Sequence, residues 1–101
     1  MVRKPAKIVW DKQALEYLKA AVQFIREDSP QNAELVKTRI IAAISNIPDN
    51  PMRHAADKYR HNNNGSYMAF EVLRFRIAYH VSKDEIRIVR IRHTSQEPKD
   101  Y

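Results

Sequence analysis

The sequence predicts an α+β fold in the order β-α-α-β-β-β, with a helical hairpin packed on one face of a largely antiparallel twisted sheet. Helical periodicity is confined to residues 11–47, and strand alternation to residues 67–93 with one β-rich stretch at 7–10. A length of 101 residues without a second composition block leaves room for one core, so residues 1–101 are expected to form a single domain.

Lys7 to Trp10 is β-rich and precedes Asp11, placed as a helix N-cap. Leu15, Leu18, Val22 and Ile25 then recur at helical spacing, with Lys12, Glu16, Lys19, Gln23 and Arg26 on the other side. Glu27-Asp28-Ser29-Pro30 interrupts this pattern. Ser29 is placed as a second N-cap and Pro30 as the first helical residue, where its missing N–H is no loss. Ala33, Val36, Ile40, Ile44 and Ile47 line the second helix, which Pro48-Asp49-Asn50-Pro51 ends.

Met52 to Ser66 is polar and aperiodic, and reads as an exposed loop holding Gly65, the chain's one glycine. Tyr67 to Leu73 follows as a strand, with Met68, Phe70 and Val72 on one face and Ala69 and Glu71 on the other. Phe75 to Ser82 alternates most clearly: Phe75, Ile77, Tyr79 and Val81 oppose Arg76, Ala78, His80 and Ser82. After a turn at Lys83-Asp84-Glu85, Ile86 to His93 forms the last strand. Strict alternation puts Ile86 and Ile88 with Arg90 and Arg92, and Arg87 with Val89 and Ile91, so both of its faces read as partly covered. The tail, Thr94 to Tyr101, contains Pro98 and is read as irregular.

Composition narrows the function. The absence of cysteine excludes disulfides, thiolate metal sites and a cysteine nucleophile, and fits a cytoplasmic address. No apolar run is long enough for a bilayer, and Met1-Val2-Arg3-Lys4-Pro5 lacks a secretory signal, so no membrane role is expected. A net charge of +6 and a pI near 9.8 favour an acidic or polyanionic partner, and a chain this short gains order from association.

The cations concentrate late in the chain. Arg74, Arg76, Lys83, Arg87, Arg90 and Arg92 stand against Asp84 and Glu85 alone over residues 74–93. With Arg74, Arg76 and His80 on the face away from the helices, they would form a cationic patch suited to phosphates. His54, His61, His80 and His93 show no metal-ligand spacing, and neither a metal nor another cofactor is expected. His93, at a strand end before Thr94 and Ser95, is better placed for proton transfer near neutrality. One glycine excludes a glycine-rich phosphate loop, and no Ser/His/Asp order suggests a triad. Tyr59, Tyr67 and Tyr101 lie outside the core stripes, as residues able to stack on bases.

Two stretches carry a resemblance. One is Ile8-Val9-Trp10, a helix, Ser29-Pro30, a helix, and Ile47-Pro48-Asp49-Asn50-Pro51. The more specific one is Phe75-Arg76-Ile77-Ala78-Tyr79-His80-Val81, followed after a turn by Ile86-Arg87-Ile88-Val89-Arg90-Ile91-Arg92-His93. Across nearly its whole length the chain resembles the RelE/ParE superfamily of type II toxin–antitoxin toxins, a group that includes plasmid stabilisation proteins.

The resemblance implies a growth-arresting toxin neutralised by a cognate antitoxin that covers the basic sheet face, as a homodimer or a heterotetramer with that antitoxin. It also implies one of two actions: ribosome-dependent cleavage of messenger RNA, or poisoning of DNA gyrase with no catalysis. On the first, the resemblance makes Arg76, His93 and Tyr101 catalytic, and Arg74, His80, Arg90 and Arg92 become RNA-binding. RNA cleavage needs a base, an acid and cations for the charged transition state. Met68 and Ser95 depart from the RNA-cleaving pattern, which usually has basic residues there. The expectation is an mRNA endonuclease, with a gyrase inhibitor, or a non-toxic member that still binds antitoxin, as the alternatives.

Overall fold

The computed structural model describes residues 6–96 and 99–101. Along the chain run β1 (Lys7–Trp10), α1 (Lys12–Asp28), α2 (Pro30–Ser45), a 3-10 turn (Ile47–Asp49), β2 (Ala55–Ala56), β3 (Tyr67–Val72), β4 (Phe75–Val81) and β5 (Glu85–His93). One five-stranded sheet has the order β1-β5-β4-β3-β2, antiparallel except that β1 runs parallel to β5. The two-residue edge strand β2 adds a fourth late strand to the expected β-α-α-β-β-β order.

The helical hairpin forms for the reasons legible in the sequence. Ala14, Leu18 and Val22 of α1 and Ala33, Ile40 and Ile44 of α2 meet Met68, Phe75, Ile77, Tyr79, Ile86, Ile88 and Ile91 in one core. Ser29 caps α2, its Oγ accepting from the Asn32 N–H at 3.2 Å, with Pro30 in the first turn. Two details differ from expectation. Helix α1 continues through Asp28, because Ser29 in extended geometry, followed by proline, is what stops it. Asp11 precedes α1 without a side-chain cap bond, because its carboxylate accepts from the Arg87 guanidinium at 2.8 Å.

The parity of β5 is resolved by a β-bulge. Tyr79 pairs with Ile88, but Ala78 pairs with Arg90, so Val89 is one residue more than β4 can match. The extra residue flips the facing of everything after it. Ile86, Ile88 and Ile91 therefore all face the helices, while Arg87, Arg90 and Arg92 share the other face with Arg76, Ala78 and His80. The strict alternation expected for this strand is corrected accordingly.

The segment 52–66, expected to be an exposed loop, also departs from that reading. It contains β2 and a carboxylate, Asp57, that is only 2% exposed. Asn63 organises its far end: its Nδ2 donates to the Asp57 and Tyr67 carbonyls, and its Oδ1 accepts from the Gly65 and Tyr67 N–H groups. Gly65 supplies a φ of 96° there, which disfavours a side chain. Tyr79 ties the loop's start to the sheet, donating to the Pro51 carbonyl at 2.8 Å, and burial pushes its hydroxyl pKa up to about 12. Among the described residues no helix is long and apolar enough to cross a membrane.

Candidate functional site

The sheet face away from the helices is built by the side chains that alternate with the core. Arg76 lies opposite Arg92 across β4 and β5, Ala78 opposite Arg90, and Glu71 of β3 opposite Arg76. Like charges in direct cross-strand register repel. The fold answers for Arg76 with Asp57, which β2 and its register to β3 carry beneath the face. Arg76 Nη2 donates to Asp57 Oδ1 at 2.9 Å, and its Nη1 lies 3.7 Å from Glu71 Oε2.

Asp57 also gathers the tail. The Tyr101 hydroxyl donates to Asp57 Oδ2 at 2.6 Å, and the Tyr59 N–H donates to Oδ1 at 3.1 Å. Backbone pairing holds the same segment: the Tyr101 N–H donates to the Tyr59 carbonyl and the His61 N–H to the Tyr101 carbonyl. Burial alone would raise the Asp57 carboxyl, but the bonds from Tyr101, Arg76 and the Tyr59 N–H outweigh it and hold its pKa below the ordinary value of 3.8. Burial first, and then the bond to Asp57, raise the Tyr101 hydroxyl pKa above its ordinary value.

Arginines and tyrosines stack in alternation over this region. Arg60 lies over both Tyr67 and Tyr101, Arg90 over Tyr101 at 4.6 Å, Arg76 over Tyr59 at 4.8 Å and Arg92 over Tyr17 at 4.9 Å. Between strand face and tail lies a cavity of about 90 Å³, bounded by Asp57, Tyr59, Glu71, Arg76, Ala78, Arg90, Arg92, His93, Lys99 and Tyr101 among others. It has room for a few waters or one small ion, far below the roughly 300 Å³ or more of a typical small-molecule site.

The residues singled out in the sequence are thus distributed unevenly. Arg76, Arg90, Arg92 and Tyr101 come together. His93 borders the same cavity, but it pairs with Phe75 on the helix side of the sheet, its ring edge-on to Phe75 at 5.1 Å. Its Nδ1 lies 2.7 Å from the Ser95 hydroxyl and 3.1 Å from the Ser95 N–H. His80 lies further along the face beside Tyr67 and opposite Arg87, and does not border the cavity. Arg74 is not on the face at all: with Leu73 it forms the two-residue turn of the β3–β4 hairpin, both residues at positive φ (47° and 69°). Met68, where a cation was looked for, is a core residue.

Sequence reasoning missed Asp57, the acid on which the face converges, and the part of Arg60 in the stack. Asp57 sits in a polar stretch without periodicity, so no pattern marks it as buried. Among the described residues no three His, Cys, Asp or Glu side chains gather as a metal site would require.

A second surface lies across the helices. Tyr17, Ala21, Phe24, Ile25 and Val36 of the hairpin and Leu73 of the β3–β4 turn line a wide, mainly apolar groove of about 700 Å³. Phe24 is 76% exposed there.

A helical hairpin on a five-stranded sheet, with a basic face opposite the helices, is the α+β architecture of RelE/ParE-like folds. A sequence profile described as the ParE toxin of type II toxin-antitoxin system, parDE, matches residues 8–98, and the chain belongs to that family. The fold is similar to a solved chain described as the chromosomal ParDE TA system from P. aeruginosa, with a TM-score of 0.68 at 18% identity, covering 87% of this chain and 95% of that one. No curated protein matches the sequence.

Proposed function

We propose that this chain, as one toxin domain over residues 1–101, acts in the cytoplasm by binding and poisoning DNA gyrase, with no catalytic step of its own. The observation that carries this reading is the engagement of the side chains an RNA-cleaving mechanism would need. Arg76 is shared between Asp57 and Glu71, and the Tyr101 hydroxyl donates to Asp57. A cation neutralised by two carboxylates adds little for a phosphorane-like transition state, and a buried carboxylate beside it opposes one. Membership of the ParE toxin family supports the same conclusion.

One observation favours cleavage as a second reading. Arg90 and Arg92 have no carboxylate partner among the described residues, and His93 borders the same cavity. The two readings separate in purified systems. The toxin is expected to abolish gyrase supercoiling or trap gyrase-cleaved DNA while leaving ribosome-bound messages intact. Cut messages with gyrase unaffected would replace the first reading by the second.

The partner that restrains it is a cognate antitoxin. The apolar groove around Phe24 suits the apolar face of a helix, and the net charge of +6 suits an acidic segment on the sheet side. Co-purification with a small acidic protein encoded beside it, weakened but not lost in high salt, is the expected behaviour.

A further inference from the structure

Two of the open face's four arginines are answered by carboxylates and two are not. Arg76 has Asp57 and Glu71; Arg87 has Asp11 and Glu85. Arg90 and Arg92, which the bulge at Val89 brings onto the same face, have no acidic partner among the described residues. Each is nevertheless held in place. Arg90 lies over the Tyr101 ring and gives one N–H to the Lys99 carbonyl at 2.7 Å; Arg92 lies over the Tyr17 ring and gives one to the Ile91 carbonyl at 2.7 Å.

This mode of fixing has a chemical consequence. A ring takes none of a guanidinium's hydrogen bonds, and each group uses one of its five N–H bonds on a carbonyl. The remaining donors are oriented before any ligand arrives. Among the described residues, four cationic side chains, Arg76, Arg90, Arg92 and Lys99, border the cavity against two carboxylates, Asp57 and Glu71, an excess of two positive charges. Both carboxylates are occupied by Arg76. The floor opposite Arg90 is Ala78, whose small side chain leaves the space open. Arg92 meanwhile faces Arg76 directly across the strands, a repulsion that a bridging anion would relieve.

We propose that this cavity is a binding site for a single tetrahedral oxyanion of the phosphate class, held by the in-plane donors of Arg90 and Arg92. Its volume of about 90 Å³ admits one such group and excludes a nucleotide base, so a nucleic acid would enter by its backbone phosphate alone. Asp57 acts here by occupying Arg76, which leaves the ligand to the other two arginines. The assignment does not depend on what the toxin poisons, and its test contains no gyrase, so each can fail separately.

The experiment follows the side-chain Nε–Hε signals of the full chain by NMR, first during titration with inorganic phosphate and then with the dinucleoside monophosphate TpT, at constant ionic strength. Saturable shifts confined to Arg90 and Arg92 are expected. Arg92→Gln and Arg90→Gln are each expected to weaken binding about tenfold, the loss of one charge-assisted contact, while Arg39→Gln on α2 leaves it unchanged. Tighter phosphate than TpT identifies a free phosphate or monoester as the ligand. Tighter TpT identifies a nucleic-acid backbone. Shifts that stay linear and spread over all arginines, in wild type and variants alike, would overturn the site. The wild-type titration decides this even if a variant fails to fold.

Discussion

On the helix side of β4 and β5, Ile77, Tyr79, Ile86, Ile88 and Ile91 are sealed from solvent in the core that the two helices cover. On the other side of the same strands lie Arg76, Arg87, Arg90 and Arg92, of which Arg92 alone lies over a helix side chain, the Tyr17 ring of α1. The first face is held by packing, which needs no particular partner beyond apolar volume. The second is held by directed contacts, each arginine having its own carboxylate, carbonyl or ring. Such a face is ordered one interaction at a time, and Arg90 and Arg92, without carboxylate partners among the described residues, are the two we assign to a ligand. The separation of stability from binding onto opposite faces lets the loop 52–66 and the tail shape the binding side without disturbing the core.

The sharpest way to break the comparison is to attack the packed face. Ile77 is 0% exposed in the middle of β4. Ile77→Ala is expected to destabilise by about 4 kcal/mol, the sum of lost transfer energy and a residual cavity. The denaturation midpoint should fall steeply at an unchanged slope. A loss below about 1 kcal/mol, outside the usual large-to-small range, would mean that this face is loosely packed and the contrast between faces is false.

Asp57 is the corresponding point on the other face. Asp57→Ala leaves Arg76, whose side chain is 22% exposed, without its nearest counter-charge and the Tyr101 hydroxyl without an acceptor. The expected cost is about 3 kcal/mol, as for removing one partner of a largely buried pair. A pH series sharpens this. The folded-state pKa of Asp57 lies below its ordinary value of 3.8, so its contribution is fully present above that pH and is lost as pH falls through the lower, folded-state value. The stability advantage of wild type over Asp57→Asn, measured by denaturation, should therefore be constant from neutrality to about pH 4 and shrink below it. An advantage that does not change with pH would assign the effect of Asp57 to shape rather than charge.

The packed face was largely legible in the sequence, because burial imposes a period. The helical stripes, the Ser29-Pro30 cap and the alternation of β4 all follow from it. The open face was legible only where it shares strands with the core. Arg76 follows from parity, whereas parity leaves the facing of Arg90 and Arg92 ambiguous because strict alternation has no room for the extra Val89. A signal was present: Ile86, Ile88 and Ile91 against Arg87, Arg90 and Arg92 is a pattern whose phase slips once, between positions 88 and 90. Asp57 had no such signal. Its burial comes from β2 pairing with β3 and from the tail closing over it, and both contacts are distant in sequence. Tyr101, expected as a residue able to stack on bases, has its ring against Arg60 and Arg90.

The turn that joins β3 to β4 tests where the open face ends. Leu73 and Arg74 both adopt positive φ, which lets a two-residue turn follow the twist of its strands but strains any residue with a Cβ. Relief of that strain at Arg74 gains roughly 1–2 kcal/mol, while the greater freedom of glycine in the unfolded chain costs roughly 0.5–1 kcal/mol. Arg74→Gly is therefore expected to stabilise the protein by about 0.5 kcal/mol, the smallest effect considered and the only one of this sign. Toxicity in the same variant should be unchanged, because Arg74 does not border the cavity and offers the sheet only its backbone, whose carbonyl accepts from the Thr94 N–H at 2.8 Å. If Arg74→Gly folds more stably yet loses toxicity, the binding surface extends past the strands onto the hairpin tip. The apolar groove around Phe24 and Leu73 and the basic face would then be one continuous surface.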